Sequence, residues 1–284
     1  MTDMLRLAVP NKGVLNEAAQ IMLKEAGYRS RKDSKELVVF DQENSCELFF
    51  LRPRDIAVYV GEGTLDAGIT GRDMLIDSGA PVQEILPLGF GGSTFRLATK
   101  AGSMRSVQDL DGLRIATSYA GLLGKYLSES GVDARVIKLD GAVETAIHLG
   151  VADAVADVVE TGTTLRNVGL EVFGEPIMRS EAVLITREGA PETPGVEQLV
   201  RRLQGVLHAR DYVMMDYDIR AEQIEQASAI TPGMEGPTIS PLHREGWVAV
   251  RTMVPRKGHQ QVMDQLWEIG ARAILVTDIY ACRL

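Results

Sequence analysis

At 284 residues the chain is long enough for two or three domains, and with 45% apolar and 24% charged residues it has an ordinary globular make-up in which no run approaches the ~18 apolar residues of a membrane span. A formal net charge of −9 argues against non-specific nucleic-acid binding, which needs a basic footprint, but leaves room for phosphates held by amides and one or two cations. Only two cysteines occur, Cys46 and Cys282, outside any Cys-x-x-Cys pair, which points away from a disulfide framework or structural zinc site and towards a reducing compartment.

The chain then alternates short apolar runs with helix-period segments, the pattern of an α/β fold. Residues 5–9 read as a buried first strand. The segment before Pro10 carries Asp3 and Arg6 and has no export-type apolar core, so the expected location is cytoplasmic. Asn11-Lys12-Gly13 is a turn, 14–26 a helix stopped by Gly27, and 37–40 with 47–51 an antiparallel pair. Pro53 opens a helix over 54–60. Residues 63–71 echo 150–162, each reading as a helix ending at Gly, a short strand beginning Asp-Ala, and a Thr-Gly turn into another helix. That echo suggests two similar α/β lobes that each present a strand-to-helix turn to one cleft. Between the echoes lie a strand at 114–118, a helix near 121–130, a strand at 134–138 and a helix at 141–149. A strand at 181–186, a linker at 190–195 and a helix from 196 to about 209 follow. The last ~75 residues run strand 212–217, helix 220–229, strand 237–242, strand 247–254, helix 259–269 and strand 273–279. This is the βαββαβ order of ferredoxin-like modules.

The strongest chemical signal is Ala154-Val-Ala-Asp157-Val-Val-Glu160-Thr161-Gly162-Thr163-Thr164-Leu165. An apolar strand carries the chain to Asp157, and a Thr-Gly-Thr-Thr turn leads into a helix. Glycine lets backbone approach a ligand, and the free amides of a helix start point outward with the positive end of the dipole. Threonine hydroxyls add neutral donors, and an acid just upstream suits sugar hydroxyls. The bland alternative is a plain N-cap at Thr163 or Thr164. A Walker-type loop is excluded, because no Gly-Lys-Ser/Thr follows a glycine at the required spacing.

This segment is similar to the phosphoribosyl pyrophosphate (PRPP) motif of phosphoribosyltransferases, except that Ala156 replaces the first of its two acids. The whole chain resembles the long form of the ATP phosphoribosyltransferase family. The marks are Pro10-Asn-Lys12-Gly13, Phe50-Leu-Arg52-Pro-Arg-Asp55, Asp66-Ala-Gly-Ile-Thr70-Gly71-Arg72-Asp73, Leu113-Arg-Ile-Ala-Thr117-Ser118-Tyr119 and Asp140-Gly141-Ala-Val-Glu144, together with the phosphate turn. The resemblance implies an α/β fold of two periplasmic-binding-protein-like lobes plus a C-terminal ferredoxin-like domain. Lobe I would take residues 1–91 and 181–210, lobe II 92–180, and the regulatory domain 211–284.

It further implies that N1 of ATP displaces pyrophosphate from C1′ of PRPP, the first step of histidine synthesis. Thr161, Gly162, Thr163 and Thr164 would hold the 5′-phosphate, with Asp157 and Glu144 near the ribose. Lys12 and Arg52 would neutralise pyrophosphate or triphosphate, and Asp73 and Ser93 would contact nucleotide. On sequence alone Lys12 and Arg52 are more often surface cations, and the plain readings of the others are a helix cap for Asp73, a loop for Ser93 and a solvated helix residue for Glu144. Mg²⁺ fits as a cofactor held through phosphate oxygens, with no protein metal motif among His148, His208, His243 and His259. L-histidine is the implied inhibitor, with Asp218, Met234, Thr238, Met253 and Ala273 as candidate contacts, and a homo-oligomer, dimer or hexamer, is the implied assembly. The rival reading is a non-catalytic two-lobe small-molecule-binding or regulatory protein.

Overall fold

The computed structural model describes residues 4–31, 33, 35–159 and 162–283. Strand β1 (Leu5–Pro10) has Leu7, Ala8 and Val9 fully buried, as a strand covered on both faces requires. Helix α1 (Val14–Glu25) buries Leu15, Ala19, Met22 and Leu23, an i, i+4, i+7, i+8 stripe. Strands β2 (Val38–Asp41) and β3 (Cys46–Leu51) form an antiparallel hairpin. Helix α2 (Pro53–Gly61) starts on proline, whose missing N–H has no partner to lose there. Strand β4 (Ala67–Gly71), helix α3 (Arg72–Ser78) and strand β5 (Val82–Pro87) complete this stretch.

The chain then builds a second layer from β6 (Ser93–Lys100), β7 (Arg114–Thr117), α4 (Ala120–Glu129), β8 (Arg135–Lys138), α5 (Thr145–His148), β9 (Ala154–Val159), α6 (Thr163–Asn167) and β10 (Leu170–Ser180). Strand β11 (Ala182–Arg187) returns to the first layer, and helix α7 (Pro194–Asp211) follows.

The first sheet has the order β2-β3-β1-β4-β11-β5 and the second β10-β6-β9-β7-β8. Set side by side, β3-β1-β4-β11-β5 matches β8-β7-β9-β6-β10. Each is a parallel triplet followed by two strands antiparallel to their neighbours. The fourth strand of each series arrives from the other lobe, β6 after β5 and β11 after β10. The sequence echo has a counterpart in hydrogen bonds. Asp66 and Asp153, which enter β4 and β9, accept the backbone N–H of Arg6 (2.7 Å) and Arg114 (3.0 Å) respectively. The two guanidinium groups then reach the Thr64 carbonyl (2.7 Å) and the Gly150 carbonyl (2.9 Å). Two faces of the second sheet are packed: Phe95, Leu97, Ile115 and Ala156 meet Leu122 and Leu123 on one side, while Ala98, Ala116 and Val155 meet Ala146, Ile147 and Leu165 on the other.

Several local readings differ from the sequence expectation. The helix expected over 141–149 shortens to α5, because Ala142 takes a left-handed φ of 49° in the preceding turn. Strands β5, β6 and β10 are absent from the sequence reading; β5 and β6 mix polar residues into their apolar runs, and the register of β10 shifts between Phe173 and Met178, around Gly174 and Pro176, which breaks the alternation that marks a strand. The stretch read as a linker over 190–195 contributes Pro194 and Gly195 to the start of α7.

The chain forms two compact units that divide inside α7, between Gln198 and Leu199, with Glu25–Gly27 joining the second. The second unit contains β12 (Tyr212–Arg220), α8 (Ile224–Ile230), β13 (Thr238–Pro241), β14 (Trp247–Pro255), α9 (His259–Glu268) and β15 (Arg272–Asp278). Its antiparallel sheet, ordered β13-β14-β12-β15, has the first and third strands of the module at the centre, the ferredoxin-like arrangement. Val213, Met215, Tyr217 and Ile219 alternate onto the buried face, and the Tyr217 hydroxyl meets the Thr231 hydroxyl at 2.8 Å.

Candidate active site

Parallel strands of an α/β sheet place ligands beyond their carboxyl ends, where helices begin. In the first unit the carboxyl ends of both sheets border one cavity of about 410 Å³. Lys12 to Leu15 follow β1, and Gly71, Asp73 and Met74 follow β4. Tyr119 follows β7, Gly162 and Leu165 follow β9, and the crossovers add Gly91 to Ser93 and Ser180. Thus the two echoing strand-to-helix turns, one from each sheet, open on the same space.

Asp73 sits in the first turn of α3, where a carboxylate complements the helix dipole. It is buried, and its Oδ1 accepts the Ser180 hydroxyl (2.9 Å) and the Met74 N–H (2.9 Å), while its own N–H donates to Ser180 Oγ (3.0 Å). Tyr119 is buried edge-on to Phe95, with ring centroids 5.4 Å apart. Burial raises its phenol above the ordinary tyrosine value, and the nearby Asp73 carboxylate adds to that rise.

Asp157 ends the apolar run of β9 and is half-buried, with its Oδ1 accepting the Val158 N–H at 2.8 Å. Burial holds its carboxyl above the usual aspartate range. The negative charge of Glu144 adds to the rise, against the hydrogen bond from Val158 and the positive charge of Arg54. Gly162 caps α6 with φ +71°, a left-handed conformation that favours glycine.

Of the residues singled out from sequence, Lys12, Asp73, Ser93 and Gly162 line the cavity, and Asp157 directly precedes its wall residues Val158 and Val159. Thr163 is exposed at the start of α6, and the Thr164 backbone continues that helix. Thr161 lies outside the described residues. Glu144 stands before α5, outside the lining, and acts on Asp157 through its charge. Arg52 is exposed at the start of α2, next to the lining residue Pro53 and not itself in the wall.

In the second unit, Asp218, Thr238 and Met253 share the sheet face opposite the buried Tyr217 row, by register with Ala249, Arg251 and Met214. Ala273 has a left-handed φ of 51° where the pairing of β15 with β12 shifts register, and Met234 is 42% exposed before β13.

Sequence reasoning gave no role to Tyr119, Met74 or Ser180. Tyr119 lay within a quoted motif; Ser180 carried no local signal, since its bond to Asp73 spans 107 residues. Among the described residues no three His, Cys, Asp or Glu side chains gather as a metal site.

The comparisons agree across the chain. The model described as ATP phosphoribosyltransferase matches residues 52–205, and that described as HisG, C-terminal domain, matches residues 209–281. The chain is 65% identical to the ATP phosphoribosyltransferase of Streptomyces avermitilis over 285 residues, covering 99% of this chain and all of that one. It is 62% identical to the enzyme of that name from Arthrobacter sp., again over 99% of this chain and the whole relative. Among solved structures, it is similar to a chain of the ATP phosphoribosyl transferase (HisG:HisZ) complex from Thermotoga maritima. Identity there is 28% and the TM-score 0.63, over 72% of this chain and 98% of that chain. A histidine kinase sensor domain with similarity to periplasmic binding proteins, 13% identical with a TM-score of 0.50 over 74% of this chain and 91% of that chain, shares the fold.

Proposed function

Since the chain belongs to the ATP phosphoribosyltransferase family, we propose that the cavity between its two lobes is where ATP and PRPP meet. The enzyme is a pentosyltransferase that joins N1 of ATP to C1′ of PRPP and releases pyrophosphate, the first step of histidine biosynthesis. The observation that carries the site assignment is the convergence of two strand-to-helix turns, Gly71–Asp73 and Gly162–Leu165, on one space.

In this reading the bond between N1 and C1′ forms as the bond from C1′ to the pyrophosphate oxygen breaks. Positive charge grows on the sugar and negative charge on the leaving group, so alignment and charge placement account for the rate. Asp157 and Glu144 lie on the sugar side, where two carboxylates favour developing positive charge. Thr161 to Thr164 receive the 5′-phosphate, Lys12 and Arg52 serve the pyrophosphate, and Asp73 and Ser93 serve the nucleotide. The lobe limits are taken as 1–91 with 181–210, 92–180, and 211–284 for the regulatory domain.

Enzymes of this family use a metal ion, and we take it to be Mg²⁺. The carboxylates of Asp157 and Glu144, near enough for the charge of one to be felt at the other, would hold a hard cation carried on polyphosphate oxygens. When bound it supplies neutralisation of the departing pyrophosphate.

Replacing Gly162 with Ala tests the phosphate turn. A side chain at φ +71° is strained there, so PRPP should bind about tenfold more weakly in calorimetric titration while ATP binding is unchanged. Equal PRPP affinity in both proteins would remove the turn from the site.

For the second unit we propose binding of L-histidine on the open sheet face, with Asp218 meeting a cationic group and Met234, Thr238, Met253 and Ala273 around it. The support is the shared face of Asp218, Thr238 and Met253. Asp218→Ala should weaken histidine inhibition at least about tenfold without altering uninhibited turnover; inhibition at wild-type concentrations would overturn the assignment. A homo-oligomer, dimer or hexamer, and a cytoplasmic location belong to the same reading, the latter in keeping with two unpaired cysteines.

A further inference from the structure

Helix α4 lacks a cap of its own. Its N-cap residue is Tyr119, which makes no capping hydrogen bond from its side chain. The orphan amides at the second and third positions, Gly121 and Leu122, instead donate to Asp77 Oδ1 at 2.9 and 3.1 Å. Asp77 belongs to α3 in the other lobe, and its place there is unfavourable: an acid in the last turn opposes the dipole of its own helix. The same carboxylate stands at the favourable end of α4. Gly121 is the residue that permits this approach, because a Cβ there would collide with the Asp77 carbonyl oxygen.

Arg54, also from the first lobe, completes the arrangement. Its Nη1 donates to Asp77 Oδ2 (3.2 Å) and to the Ser118 carbonyl (2.8 Å), and its Nη2 donates to Ser118 Oγ (3.1 Å). The guanidinium also lies over the Tyr119 ring, 4.2 Å from its centroid. Tyr119 therefore sits between two sets of contacts made by the first lobe, and it is a wall of the cavity.

We propose that Arg54 and Asp77 are positioning residues that clasp the start of α4 across the lobes, so that Tyr119 and the second lobe are held at the spacing the two substrates need. The clasp rests on the cavity being the substrate cleft, and its function is substrate fit, since neither residue lines the cavity.

The test is steady-state kinetics of Arg54→Ala, Asp77→Ala, the double variant and Asp77→Asn, with both substrates varied. Each alanine variant should raise KM about tenfold while kcat stays within about threefold. The double variant should be no worse than about twice the poorer single one, because the two residues act as one unit. Asp77→Asn should recover part of the loss, since its amide oxygen still accepts both α4 amides while its NH2 can no longer accept from Arg54. Unchanged KM values, losses that multiply in the double variant, or an Asn variant as impaired as Ala would overturn the proposal. Should the alanine variants fail to fold, Asp77→Asn and Arg54→Lys decide, with KM raised in both and less in the first, which keeps the two α4 amide contacts; wild-type KM in either, or the reverse order, would overturn it. Lys12→Met, measured alongside, tests the cleft itself. If it is unimpaired, the cleft reading fails and takes the clasp's function with it; if it is impaired while the clasp variants match wild type, the clasp alone falls.

Discussion

Asp157→Asn is expected to lower turnover about 100-fold while leaving the melting temperature unchanged or higher. The carboxyl sits at the end of an apolar strand, and burial together with the charge of Glu144 lifts it above the ordinary aspartate range. A carboxyl raised in the folded state adds stability while protonated, below its unfolded value of about 3.9, and loses that contribution as pH rises through the folded value. At neutral pH the ionised group is therefore a cost to the fold, which an amide of the same shape relieves. Catalysis needs the opposite state, an anion beside a sugar that becomes positive. Wild-type kcat/KM should accordingly rise with pH through a midpoint above the usual aspartate value, and that rise should be absent in the variant. A variant with wild-type turnover, or one that melts at a lower temperature, would show that Asp157 is a structural residue.

Lys12→Met should lower kcat/KM about 100-fold or more, with partial recovery in Lys12→Arg. No other lysine or arginine lines the cavity among the described residues, so no neighbouring cation stands ready in the wall to replace it. Its turn is built firmly: the Asn11 N–H donates to the Leu51 carbonyl at 2.8 Å, the Asn16 side-chain amide donates to the Pro10 carbonyl, and Gly13 takes φ +75°. Methionine keeps the length and apolar stem of lysine and removes only the charge. Rapid-quench measurement of pyrophosphate release locates the loss; an unchanged rate would exclude Lys12 from leaving-group departure.

Much of this architecture was legible because it depends on short-range patterns. The runs at 5–9 and 154–159 are apolar but for Arg6 and Asp157 because both strands are central in their sheets, and the ferredoxin-like order emerged from alternating segments bounded by glycine. Lys12, Asp73, Ser93 and Gly162 were visible for a related reason, since each stands at a strand end or within three residues of one. Strand β10 was hidden by its own irregularity, and α5 by a left-handed alanine that no propensity favours. The polar contacts that assemble the cavity were hidden by distance along the chain. Ser180 meets Asp73 across 107 residues, and Arg54 meets Ser118 across 64. Aspartate near the end of a short helix reads locally as a poor choice, and becomes sensible only when α4 is seen to start beside it.

Whether one space serves both substrates is tested most directly by a crystal of the enzyme grown with PRPP and Mg²⁺. The expected density places the 5′-phosphate against the backbone of Gly162, Thr163 and Thr164, with the ribose beside Asp157 and the pyrophosphate towards Lys12. PRPP bound elsewhere, with the turn after β9 facing solvent alone, would contradict it.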